Sequence, residues 1–125
     1  MNIFILEDDD MRVQAFIPFI LNQQPTASIY VADNVEEAKK ILMLVPKWDC
    51  IFLDHDLGGD QYVDSNNENT GYQIAKFIKI NHIKYTSCII HSHNPAGAAN
   101  MKLVLEDAIV MPFGYFIKPE VAQSD

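Results

Sequence analysis

Apolar residues in this chain fall into short blocks, each closed by a polar cluster, and their internal spacing alternates between two kinds. Ile3-Phe4-Ile5-Leu6, preceded by Asn2, is a continuous apolar run of the length expected for a strand covered on both faces. It stops at Glu7-Asp8-Asp9-Asp10. From Met11 to Leu21 the positions Val13, Phe16, Ile17 and Ile20 recur at intervals of three and four. That spacing predicts a helix, with Pro18 bending it or ending it early. Ala27 to Val31, after Pro25, predicts a second strand; Asp33-Asn34 supplies a helix cap, and Val35 to Val45 a second helix.

The alternation continues past Pro46. Asp49 to Leu53 predicts a third strand, and Gly58 to Asn69 is a polar stretch carrying Asp60, Asp64, Ser65, Asn66, Asn67, Glu68 and Asn69. It exceeds the usual βα connection of about 2 to 6 residues, and loops of that length are functional or mobile. Tyr72 to Ile80 predicts a third helix with an apolar stripe through Tyr72, Ile74, Ala75, Phe77 and Ile78. Ser87 to Ile90 predicts a fourth strand, ending in His91-Ser92-His93-Asn94. Asn94 is placed to cap a helix that opens on Pro95 and runs to about Asp107. Gly114 to Ile117 predicts a fifth strand that ends at Lys118-Pro119, and Glu120 to Asp125 is too short and polar for a closing helix. Strands alternating with helices imply a doubly wound α/β fold with a parallel sheet, here expected as one domain over residues 1–125.

Composition narrows the function classes. At 125 residues and 49% hydrophobic content the chain can bury a core. No apolar run approaches the ~20 residues that span a bilayer, and no basic segment leads into a signal-type region, so a cytoplasmic protein is expected. Cys50 and Cys88 lie inside apolar runs and read as reduced, buried small hydrophobes. Seventeen acidic against 9 basic residues, a net charge of -8, argue against an extended nucleic-acid surface. They do not argue against a phosphorylated ligand, because gathered carboxylates can hold a dication that attracts phosphate.

The acidic groups gather at strand ends. The first strand ends in Glu7 and Asp8, the third in Asp54, the fourth in Ser92 and the fifth in Lys118. Singly, these read as a helix N-terminal acidic cluster, a turn serine and a solvated strand exit. Their coincidence at one sheet edge, where open α/β sheets bind ligands, favours a metal site. The pattern resembles the receiver domain of two-component response regulators, which implies a receiver-like sheet in the order 2-1-3-4-5. It also implies a divalent cation, Mg²⁺ or Mn²⁺, held by Glu7, Asp8, Asp54 and the backbone carbonyl of Asp56. Ser92 and Lys118 would then contact phosphoryl oxygens.

Three of the four histidines, His55, His91 and His93, crowd the same edge, which an ordinary receiver does not need. Imidazoles at a metal-phosphate site suggest acid-base chemistry. His93, past the strand, is the best placed; His55 and His91 are further candidates, with strand alternation turning His91 away from Ser92. A zinc site on His91 and His93 suits this oxygen-rich setting less well than magnesium or manganese. The strings Leu53-Asp54-His55-Asp56-Leu57-Gly58-Gly59 and His91-Ser92-His93-Asn94-Pro95-Ala96-Gly97-Ala98-Ala99-Asn100-Met101 resemble the cyclic-phosphate processing receiver domains. That resemblance implies a metal-dependent phosphoesterase acting on a cyclic nucleotide or a nucleic-acid cyclic phosphate end, with Asp54 as ligand or nucleophile. Two other readings stay open. One is a stand-alone receiver phosphorylated on Asp54; the other is a pseudo-receiver that binds a partner or a second copy through an uncovered fifth strand.

Overall fold

A computed structural model describes residues 1–59 and 62–115 of the chain. Five parallel strands, β1 (Asn2–Leu6), β2 (Ser28–Ala32), β3 (Trp48–Leu53), β4 (Tyr85–Ile90) and β5 (Ile109–Val110), form one sheet in the order β2-β1-β3-β4-β5. Four helices connect them: α1 (Asp10–Gln23), α2 (Val35–Leu42), α3 (Gly71–Ile80) and α4 (Pro95–Val104). This is the doubly wound, receiver-like order expected from the sequence.

Strand alternation divides the core in two. Phe4, Leu6, Ile51, Leu53, Cys88 and Ile90 face one way and pack with Val35, Ala38 and Leu42 of α2, Ile74, Ala75 and Ile78 of α3, and Ala98 and Met101 of α4. Trp48 closes the foot of this face, its indole N–H donating to the Leu42 carbonyl at 3.2 Å. Ile3, Ile5 and Phe52 face the other way onto Phe16 and Ile20 of α1. Since α1 is the one helix packed there among the described residues, Ile29, Val31, Cys50 and Ile89 remain only partly buried.

Three predicted elements are corrected. α1 runs through Pro18 without ending, because Phe16 and Ile20 on either side are buried in the second core, and that packing offsets the ~3 kcal/mol cost of an internal proline. α4 stops at Val104, capped by the Leu105 amide on the Met101 carbonyl, short of Asp107. The fifth strand is Ile109–Val110 rather than Gly114 to Ile117: Ile89 and Ile90 pair with Ile109 and Val110, and Phe113–Tyr115 is a 3-10 turn. The chain leaving α4 reaches the free edge of β4 within a few residues, and this exposed apolar pair takes it. Phe116, Ile117, Lys118 and the region of a closing helix lie outside the described residues. No helix among the described residues is long and apolar enough to cross a membrane.

Candidate metal and phosphate site

Register assembles the site. Leu6, Leu53 and Ile90 are partners across β1, β3 and β4, and the hydrogen bonding continues one residue further. The Glu7 amide donates to the Ala32 carbonyl (3.0 Å), Asp54 to Leu6 (3.1 Å) and His91 to Leu53 (2.9 Å). Glu7, Asp54 and His91 are therefore side by side on one rung, directed to the α1 side, where the His91 ring meets Phe16 at 4.9 Å. The next rung carries Asp8, His55 and Ser92. Its His55 ring points the other way, against Gly97 of α4.

One donor atom from each of Glu7, Asp54 and His91 lies within 4.8 Å of the other two, and all three residues are buried. His91 Nε2 and Glu7 Oε1 are 2.8 Å apart. Glu7 Oε2 accepts from the Asp9 amide, and Asp54 Oδ1 from the His55 amide. Arg12 reaches over from α1, its Nη1 3.6 Å from Glu7 Oε2 and 3.8 Å from Asp54 Oδ2. Burial pushes the Glu7 carboxyl up to about 7, against the pull of the Asp9 amide and the Arg12 guanidinium. Burial likewise pushes Asp54 up to about 7; His91 and Arg12 oppose the rise and the Glu7 charge adds to it. The fully buried His91 is driven down to about 4, chiefly by desolvation, so its imidazole is neutral at pH 7.

Above this rung opens a cleft of about 540 Å³ lined by Asp8, Asp9, Arg12, Asp54, Asp56, Gly59, Tyr62 and His93. His93 is exposed. Asp8 accepts from the Gly59 amide at 2.7 Å, which ties the long loop to the end of β1. Gly58 and Gly59 take φ of +80° and +86°, where a side chain would be strained.

His55 does not reach the cleft. It is fully buried, with Nδ1 2.8 Å from Asp56 Oδ1 and Nε2 2.9 Å from Ser65 Oγ. Asn94 Nδ2 donates to Asp56 Oδ1 and to the Val63 carbonyl, and Asn100 donates to Ser65 Oγ. Asp56 also accepts from the Tyr62 and Val63 amides. Partial burial pushes Asp56 upward, but the bonds from Asn94, His55 and these amides outweigh it and hold its carboxyl below its ordinary range. His55, expected from the sequence as a catalytic candidate, is placed as a bolt between the long loop and α4.

Of the other predicted residues, Ser92 is buried and accepts from the Asn94 amide at 3.0 Å. It faces a neighbouring apolar depression of about 390 Å³ that His93 also lines. Lys118 lies outside the described residues. Arg12 was missed. It is the only arginine of the chain, one turn into a helix that opens on four acidic residues, and that isolation was its available signal.

The donor set fits a dication. Two buried carboxylates repel each other, and a guanidinium already places positive charge against both. Asp8 and Asp56 add further oxygens around the same cleft.

A sequence model of the cyclic-phosphate processing receiver domain matches residues 1–107. No curated protein matches the chain significantly. Solved receivers share its fold at low identity. A LuxR-family DNA-binding response regulator from Staphylococcus aureus superposes with a TM-score of 0.66 at 22% identity, over 88% of this chain and 84% of the other. TrrA from Thermotoga maritima, solved in complex with Mg²⁺-BeF, gives 0.61 at 17% identity over 91% and 89%. A Burkholderia pseudomallei response regulator with a phosphorylated aspartic acid, a calcium ion and citrate gives 0.64 at 16% identity. This match covers 88% of the present chain but only 58% of that longer protein.

Proposed function

Because this chain belongs to the cyclic-phosphate processing receiver domains, we propose that its cleft binds a divalent cation and hydrolyses a cyclic phosphate. The meeting of several carboxylates, one guanidinium and one exposed imidazole in a single cleft carries this reading. Glu7, Asp8 and Asp54, with the backbone carbonyl of Asp56, would hold Mg²⁺ or Mn²⁺. When bound, the ion supplies Lewis-acid stabilisation of charge on the phosphoryl oxygens.

The chain's own residues do the rest. Arg12, with Ser92 and Lys118, would take non-bridging oxygens and so favour the transition state, in which their charge grows. His93, exposed at the cleft wall, would accept the proton of the attacking water or return one to the leaving alkoxide. Water oxygen bonds to phosphorus, one ring P–O bond breaks, and a phosphomonoester leaves. His91 is too deeply enclosed to exchange protons with substrate.

A second reading has its own support. Asp54 spends Oδ1 on the His55 amide and turns Oδ2 toward the cleft cation Arg12, which leaves one oxygen to accept a phosphoryl group from a donor. A structural neighbour carries a phosphorylated aspartate. The two readings separate in one experiment: the protein and a His93→Ala variant are incubated with Mn²⁺ and a panel of cyclic phosphates and linear phosphodiesters, with acetyl phosphate in parallel. Turnover of a cyclic phosphate that is lost in the variant supports the hydrolase. Stoichiometric labelling of Asp54 with no ester cleaved establishes the phospho-accepting receiver instead.

A further inference from the structure

The rung that carries Glu7 and Asp54 carries an imidazole at its third place. Resting on the proposed metal-dependent function, we propose that a ring nitrogen of His91 ligates the cation beside the carboxylate oxygens of Glu7 and Asp54. The site then selects dications such as Mn²⁺ or Co²⁺ over Mg²⁺.

Three observations converge. First, parallel register sets the three side chains next to one another, with donor atoms mutually within 4.8 Å. Neighbouring ligands of an octahedral ion at about 2.1 Å stand about 3 Å apart. The 2.8 Å between His91 Nε2 and Glu7 Oε1 is close to that spacing. Second, His91 Nδ1 is the only buried side-chain nitrogen or oxygen without a hydrogen-bond partner among the described residues. Native interiors rarely leave such an atom unmet, and each exception calls for a cause. With its N–H at that unpartnered Nδ1 the neutral imidazole keeps its lone pair at Nε2, facing Glu7 Oε1, and two facing acceptors call for a cation between them. Third, Asp8 Oδ2 accepts from the Gly59 amide at 2.7 Å, so only its other oxygen is open to an ion and the rung must supply further ligands.

The consequence is chemical selectivity. Mg²⁺ prefers oxygen ligands and keeps its waters, whereas an imidazole raises affinity along the transition series. Arg12, 3.6 and 3.8 Å from the two carboxylates, sets a positive charge beside the rung.

Isothermal titration of the whole protein with Mg²⁺ and with Mn²⁺, repeated on His91→Gln and Asp8→Asn, reads the selectivity. Pulsed EPR of the Mn²⁺-loaded wild type grown with ¹⁵N-histidine reads the bond itself. The expected result is a preference for Mn²⁺ of about tenfold or more that collapses in His91→Gln and persists in Asp8→Asn at lower affinity for both ions, with one directly bonded ¹⁵N in wild type and in His93→Ala. If Mn²⁺ binds with no bonded nitrogen, His91 is not a ligand, while the cyclic-phosphate reading stands. If neither ion binds, both fall. Should His91→Gln fail to fold, the EPR of the wild type and His93→Ala still decides.

Discussion

Two imidazole–carboxylate pairs sit at the ends of neighbouring strands, and they differ in completeness. His55–Asp56 and His91–Glu7 have the same 2.8 Å separation and a fully buried ring. Around His55 both ring nitrogens are occupied, and Asp56 collects donors from Asn94 and two loop amides, which hold its carboxyl below its ordinary range. Around His91 one nitrogen has no partner, and burial pushes the Glu7 carboxyl up to about 7. A satisfied buried network rigidifies the fold; one left incomplete raises the cost of charge and invites a ligand. One pair fastens the loop to α4, and the other lies beneath the cleft at the rung where a cation would be held.

That contrast can be broken by mutation. The largest effect is expected from His55→Ala, which strands Asp56, Ser65 and Asn94 and opens a cavity; urea denaturation should show a loss of about 3 to 4 kcal/mol. If the loss is near zero, the bolt is not structural. Gly97→Ala comes next, because a Cβ there would clash with the His55 ring; crowding should cost about 2 kcal/mol in the same assay.

Glu7→Gln should act in the opposite direction. A carboxyl raised in the folded state contributes stability below its ordinary value of 4.5 and loses it as pH climbs through about 7. Asp54, raised to about 7, behaves the same way. His91, lowered to about 4, has the reverse sense: its contribution is complete above 6.5 and fades as pH falls toward 4, so the slope above 6.5 belongs to the carboxylates. Metal-free wild type should therefore lose stability from pH 6.5 to 8, and Glu7→Gln should be more stable at pH 8 by on the order of 2 kcal/mol. Equal melting temperatures of the two proteins at pH 8 would count against a penalised carboxylate. The smallest effect, about 1 kcal/mol lost, is expected for Ser65→Ala, whose half-buried hydroxyl bridges His55 and Asn100.

Much of this was legible beforehand. Four strands, four helices and the acidic strand ends follow from runs such as Ile3 to Leu6 and from caps such as Asn34 and Asn94, because period and capping are local properties. Ile109–Val110 was not legible. Two residues are too few to show a period, and only the free edge of β4 makes them a strand. Arg12 was hidden for a similar reason: on a helix it reads as a solvated charge until α1 is laid over the ends of β1 and β3.

The histidines mark the boundary most clearly. The sequence by itself determined that three imidazoles and four carboxylates stand at the ends of parallel strands, because hydrophobic runs dictate where strands stop. Only the tertiary structure decided their company. Register and side-chain alternation place Glu7, Asp54 and His91 on one rung and turn His55 to the opposite face, and the partner a buried group meets there sets its charge and its role.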